Sequence, residues 1–202
     1  MKNVAVLLSG RGSNFTALAS AIDRGEIPAR ICLVLSNRQD AAGLERAGTM
    51  SLPRRFVDSQ GRDREDFDRE IASHLEAAGA EIVCLAGFMR LLSPWFVSRY
   101  PRRILNIHPS LLPAFPGLQA QRQALEWGVK VTGCTVHFVD EKLDHGPIIL
   151  QETVPVLDTD TEESLSNRIL QAEHRIYPEA LRLVCQERVR VEGRRVFILD
   201  RP

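Results

Sequence analysis

Residues 4–8, 31–35 and 82–85 form short, unbroken apolar runs and residues 104–107 a fourth that only Asn106 interrupts, and Ser, Gly or His follows each within two residues. A strand with one wet face alternates apolar and polar residues, so unbroken runs of this length predict strands buried on both faces. Between them, residues 14–24, 41–47, 62–78 and 94–100 carry apolar side chains at helical spacing. Strand and helix in alternation predict an α/β fold, a mostly parallel twisted sheet with helices on both faces. Such sheets bind ligands beyond the carboxyl ends of their strands. The residues just after each run are therefore the first candidates for a site.

The second half changes pattern. Residues 132–140 and 148–156 read as strands, and the connection between them is too short for a crossover helix, so the pair is expected to be antiparallel. Residues 161–185 follow as a long helix, with Thr161 at its start and Ser164 where a capping box usually has Glu or Gln. Pro178 is expected to kink or split that helix. Residues 189–199, interrupted by Glu192-Gly193, predict a terminal hairpin. No repeat, low-complexity stretch or linker divides the chain, so residues 1–202 are expected to form one domain with an antiparallel C-terminal extension.

Charge and cysteine usage narrow the functions open to the chain. Lys plus Arg and Asp plus Glu number 26 each, so no global field draws it to nucleic acid or anionic lipid, and neither is expected as a partner. Any anionic ligand must be held locally. The first apolar run is too short for a secretory leader or a membrane span. Cys32, Cys84, Cys134 and Cys185 lack C-x-x-C spacing. Neither a disulfide framework nor a metal site is expected, which points to a reducing compartment, the cytoplasm.

The first chemical signal follows the first run. Ser9-Gly-Arg-Gly-Ser-Asn14 passes directly into a helical pattern, so that a glycine turn sits between strand and helix. The unpaired amides and dipole of a helix start favour an anion there. Gly10 and Gly12 allow close backbone approach, and Ser13 and Asn14 add side-chain hydrogen bonds. The third glycine of the dinucleotide fingerprint is missing, and the second strand ends in Ser36-Asn37 rather than an acid, which argues against NAD. Two readings fit: a tight turn with a helix cap, and a monophosphate site.

After the fourth run comes Asn106-Ile-His-Pro-Ser-Leu-Leu-Pro113. Asn106 and His108 are two residues apart and fall on one side of an extended strand end. An amide beside an imidazole suits acyl transfer. Asn106 can donate to the oxygen that becomes negative in a tetrahedral intermediate, and His108 can supply a proton. No nucleophilic side chain is needed where the substrate brings its own amine. Asp144, in the turn that ends Asp144-His-Gly-Pro147, is placed to close over the same edge, where its charge favours an imidazolium. It equally suits a residue that caps the amides of its own turn.

Together, the segments Gly10-x-Gly-Ser-Asn14, Leu85-Ala-Gly-Phe-Met-Arg-Leu-Leu92, Asn106-Ile-His-Pro-Ser-Leu-Leu-Pro113, Thr132-Gly-x-Thr-Val-His-Phe-Val139 and Asp144-x-Gly-Pro147 resemble the phosphoribosylglycinamide formyltransferases. The resemblance runs from the first strand to about residue 182. It implies a Rossmann-like fold and direct transfer of a formyl group from 10-formyltetrahydrofolate, as co-substrate, to the amine of glycinamide ribonucleotide in purine synthesis. It implies neither a metal nor a covalent enzyme intermediate, and the chain is expected to act as a monomer or homodimer. By the same resemblance, residues 1–100 form the phosphate and nucleotide half, and residues 101–202 the catalytic and folate half. His108 answers to the general acid, Asn106 to the oxyanion donor, and Asp144 to the residue that supports the histidine and orders a proton-relaying water. Gly12, Ser13 and Asn14 answer to the ribonucleotide phosphate site, and Glu173 to the residue that meets the glycinamide portion. Arg64, Met89, Arg90, Leu91, Leu92, Asn106, Asp140 and Asp144 answer to the folate site.

Some of these positions also admit ordinary structural readings. Arg64 lies in a charged stretch that fits the solvated face of a helix, and Glu173 and His174 fit a helix surface. Residues 88–92 fit a core segment, and His137 a packed strand residue. The chain departs from the family at Gln119 and Gln121, where histidines are common; glutamine keeps hydrogen bonding but cannot titrate. Formyltetrahydrofolate hydrolases are similar in their catalytic half but usually begin with a regulatory domain, for which the early phosphate loop is expected to leave no room. Methionyl-tRNA and sugar formyltransferases share the Asn-x-His and Asp logic. A silent nucleotide or folate sensor would have no need of Asn106, His108 and Asp144 together.

Overall fold

The computed structural model describes residues 1–200. Its contacts divide into two compact units, Met1–Asn106 and the residues from Ile107 onward. In the first unit, β1 (Lys2–Leu8) lies at the centre of a parallel set with β2 (Ala29–Ser36), β3 (Arg54–Phe56), β4 (Ile82–Leu85) and β5 (Ile104–His108). The strand order is β3-β2-β1-β4-β5. Val4 to Leu8 are each 0% exposed although successive side chains point to opposite faces, so both faces of β1 are covered. That is the burial the unbroken apolar run predicts. The helices of this unit are α1 (Ser13–Asp23), α2 (Ala42–Thr49), α3 (Arg64–Ala77) and α4 (Pro94–Arg99). Phe15 and Leu18 of α1, Phe67, Ile71 and Leu75 of α3 and Phe96 of α4 are fully buried.

The second unit opens at the end of β5 and continues with α5 (Ala120–Trp127), β6 (Val131–Phe138), β7 (Ile148–Pro155), α6 (Glu162–Cys185), β8 (Val189–Glu192) and β9 (Arg195–Ile198). β6 and β7 pair antiparallel from Val131 opposite Pro155 to His137 opposite Ile148. β1 to β7 belong to a mostly parallel sheet, and β8 and β9 form a separate antiparallel ribbon. Helix α6 packs on β6 and β7 through its buried stripe of Leu165, Ile169, Ala172, Ile176, Ala180 and Leu181. The Thr161 hydroxyl accepts from Ser164 N at 3.1 Å and the Ser164 hydroxyl accepts from Thr161 N at 3.0 Å, so serine completes the capping box.

Two expectations change. Pro178 does not split α6, which runs unbroken through it. Tyr177 and Ala180 on either side are fully buried, and that packing outweighs the one backbone hydrogen bond that proline removes. The sequence reading also passed over β3 and α5. β3 is a three-residue edge strand, Arg-Arg-Phe, exposed throughout, and so has no apolar signal. α5 follows a Pro-Gly turn and starts at Gln119 with a left-handed φ of 58°, an uncommon entry for a residue other than glycine.

Candidate active site

The turn after β1 brings α1 in with Gly12 at φ 72°, the left-handed region that glycine enters without strain. No side chain caps α1, which removes the side-chain-cap reading of this segment. A Cβ on Gly12 would meet the Gly43 Cα at 2.7 Å, and Gly43 N donates to Gly10 O at 3.0 Å. Gly12 is thus required by the close approach of α2 as well as by the turn. A Cβ on Gly10 would meet nothing within 4 Å. Ser13 is the first residue of α1, half-buried, and Asn14 is buried behind it.

In the same unit, residues 88–92 are not core. Met89 is 67% and Leu91 53% exposed, whereas Leu85 is buried in β4. The Arg90 guanidinium lies 4.8 Å over the Phe67 ring and donates to Ser59 O at 2.9 Å. Leu92 is half-buried. Arg64 is the first residue of α3, exposed, while Asp63 caps that helix by accepting from Glu65 N and Asp66 N.

β5 carries Asn106 and His108 at alternate positions, hence on one face of the strand. Asn106 is half-buried. The His108 side chain is 5% exposed and that of Asp144 8%, with His108 Nδ1 3.4 Å from Asp144 Oδ2. His108 Nε2 faces Phe115 O at 2.8 Å. Both ring nitrogens therefore face oxygen atoms. Asp144 does not cap its own turn; its Oδ2 accepts from Gly117 N at 2.8 Å, and its backbone takes a left-handed φ of 47°. The local capping falls to Asp140, whose Oδ1 accepts from Lys142 N at 3.0 Å and whose Oδ2 meets His145 Nδ1 at 2.7 Å.

The loop after β5 is pinned by β6 and β7. Thr135 Oγ1 donates to Ser110 O at 2.7 Å and accepts from Leu112 N at 3.0 Å, while Gln151 Nε2 donates to Leu112 O at 2.9 Å. His137 is 2% exposed, with Nδ1 2.9 Å from Phe138 O and Nε2 3.9 Å from Asp144 Oδ1. Burial pushes its imidazole below the usual histidine range, against the raising effects of the Phe138 carbonyl and of Asp144. A neutral His137 that donates through Nδ1 results. Glu173 does not cover a helix surface; it is 7% exposed on α6. Its charge adds to the desolvation that pushes the buried Cys134 thiol up to about 12. Gln119 is exposed and Gln121 half-buried at the start of α5.

The sequence reading missed the Phe115 carbonyl and the Gly117 amide, because backbone groups carry no residue-type signature. It also missed Thr135, although Thr135 and His137 share one face of β6, a period-two signal.

A buried histidine beside a carboxylate on a strand–loop scaffold is compatible with several chemistries, and comparison decides the family. Residues 2–181 match the Formyl transferase family. The chain belongs to that family. This formyltransferase is 47% identical to the Escherichia coli phosphoribosylglycinamide formyltransferase over 177 residues, 87% of this chain and 84% of that protein. It is 50% identical to the human trifunctional purine biosynthetic protein adenosine-3 over 93% of this chain, but spans only 19% of that protein's length. Among solved structures, glycinamide ribonucleotide transformylase 1 from Symbiobacterium toebii superposes with a TM-score of 0.97 at 55% identity, covering 99% of this chain and 95% of that one. The family match crosses both compact units.

Proposed function

We propose that this formyltransferase passes the formyl group of 10-formyltetrahydrofolate to the amine of glycinamide ribonucleotide, giving N-formylglycinamide ribonucleotide and tetrahydrofolate. The observation that carries the reading is the buried His108 with Asp144 Oδ2 at 3.4 Å and the Phe115 carbonyl at 2.8 Å, in a chain whose relatives are named for this activity.

The chemistry needs three things from the protein. The substrate amine attacks the formyl carbon, and the carbonyl oxygen gains a negative charge, toward which Asn106 donates. On collapse the bond from the formyl carbon to folate N10 breaks, and His108 supplies the proton that N10 takes up. The amine's own proton leaves to solvent through the water that the resemblance assigns to Asp144. Asp144 holds the imidazole, and Gly117 N holds Asp144. Gly12, Ser13 and Asn14 take the ribonucleotide phosphate at the uncapped start of α1. Glu173 accepts hydrogen bonds from the glycinamide portion. Met89, Arg90, Leu91 and Leu92 meet the flat folate ring, Arg64 lies near the folate, and Asp140 and Asp144 belong to the second folate loop. The reaction calls for no metal, and the family match across residues 2–181 supports one domain. No helix among the described residues is long and apolar enough to cross a membrane, and we place the protein in the cytoplasm, as monomer or homodimer.

The test follows folate deformylation by absorbance with and without glycinamide ribonucleotide. Deformylation that requires the ribonucleotide establishes the transferase. Equal rates without it mean a hydrolase, and no turnover in either case means a binding role.

A further inference from the structure

The segment from Met89 to Ser93 is held at its ends and unengaged in its middle. The backbone N–H groups of Arg90, Leu91 and Leu92 make no hydrogen bond within the protein among the described residues, and the side chains of Met89 and Leu91 are exposed. At one end, Met89 N donates to Ser9 Oγ at 2.8 Å. Ser9 Oγ in turn donates to Asn37 Oδ1 at 2.5 Å, and Asn37 Nδ2 donates to Ser59 Oγ at 3.1 Å. Ser59 O receives Arg90 Nη1 at 2.9 Å, so the chain of hydrogen bonds returns to the segment it started from. Ser9, Asn37 and Ser59 are all less than 9% exposed. The Ser9 hydroxyl accepts from Met89 N and donates to Asn37 Oδ1, which fixes its direction and that of the Asn37 amide.

The other end is held by Asp68. This carboxylate, on α3, is 0% exposed. Its Oδ2 accepts from Ser93 N at 2.5 Å, while its Oδ1 is buried without a partner. Burial pushes the carboxyl above the usual range, and the Ser93 amide and hydroxyl oppose that shift. A buried carboxyl with a spare lone pair costs stability. What Asp68 supplies in return is the fixed position of Ser93, the cap of α4 and the last residue of the segment.

We infer that Asp68 and Asn37, both buried, are positioning residues that hold Met89–Ser93 rigid so that its free amides and carbonyls meet the folate ring at a fixed spacing. The inference rests on the folate assignment of that segment. An immobile backbone edge loses little entropy on binding, so its loosening appears in the affinity for folate rather than in the chemical step.

The experiment measures KM for each substrate and kcat in the wild type, Asp68→Leu, Asp68→Asn and Asn37→Ala, with folic acid binding followed by fluorescence. Asp68→Leu is expected to raise the folate KM and the folic acid Kd about tenfold, the scale of one lost hydrogen bond to a charged group. The KM for the ribonucleotide should stay within about twofold. Asp68→Asn keeps an acceptor for Ser93 N and should restore most of the loss. Asn37→Ala should raise the folate KM more than the ribonucleotide KM, and it carries the test alone if Asp68→Leu does not fold. A folate KM within twofold of wild type in the folded variants overturns the inference. So does an equal rise in both KM values, which marks general loosening. A wild type that binds folic acid without ribonucleotide-dependent turnover overturns the transferase reading alone, and a wild type that binds no folate overturns both.

Discussion

At the residue scale, the proposed reaction joins a donor, Asn106, to an acid, His108, that Asp144 faces at 3.4 Å. Asn106 has one task in the proposed reaction, and removing one oxyanion donor costs about 2.7–4 kcal/mol of transition-state stabilisation. Asn106→Ala is therefore expected to lower the rate of the chemical step by about 10²–10³, as measured in single-turnover experiments. His108→Ala should abolish turnover and leave folic acid binding intact. His137 sets a pH dependence of stability. Its folded imidazole lies below the ordinary histidine range, so as pH falls below about 6.5 the unfolded chain takes up a proton that the folded chain refuses. Stability is full above that pH and declines below it. Urea midpoints at pH 7 and pH 5 should differ less in His137→Gln than in the wild type. These residues differ in how they show in the sequence. Asn106-x-His108 is visible as an amide and an imidazole at strand spacing, whereas Asp144 had two equal readings until its Oδ2 was found against Gly117 N rather than its own turn.

At the element scale, the ends of helices carry both stability and binding. Gly12 combines a φ of 72° with an approach to Gly43 Cα that a methyl group would bring to 2.7 Å. Gly12→Ala forces backbone against backbone. It should cost about 1–2 kcal/mol or more in chemical denaturation and should weaken the ribonucleotide more than folate. Thr161→Ala removes half of the capping box of α6 and should cost about 1 kcal/mol, with both KM values unchanged, because the box lies three turns from Glu173. The elements themselves were legible wherever burial is total. β4 is the run at residues 82–85, apolar throughout because both of its faces are covered, and β5 extends the run at 104–107 by one residue, with Asn106 and His108 as its polar positions. β3 was not legible, since an exposed edge strand is held by its ladder to β2 and not by its side chains.

At the scale of the whole molecule, formal charge cancels at neutral pH, with 26 basic and 26 acidic residues. Without net repulsion, solubility should pass through a minimum near pH 7 and rise on either side, a profile that precipitation with polyethylene glycol measures directly. The sequence by itself determined the α/β class, the buried strands and the helices between them apart from β3 and α5, and the candidates Asn106 and His108, because apolar periodicity and residue chemistry are local properties. Only the tertiary structure decided that Asp144 lies 3.4 Å from His108, that Glu173 is buried, that Met89 and Leu91 are exposed, and that Asp68 and the Ser9–Asn37–Ser59 chain of hydrogen bonds meet the two ends of their segment. Those facts depend on which distant backbone amide or carbonyl a side chain meets, and a backbone group is the same in every residue.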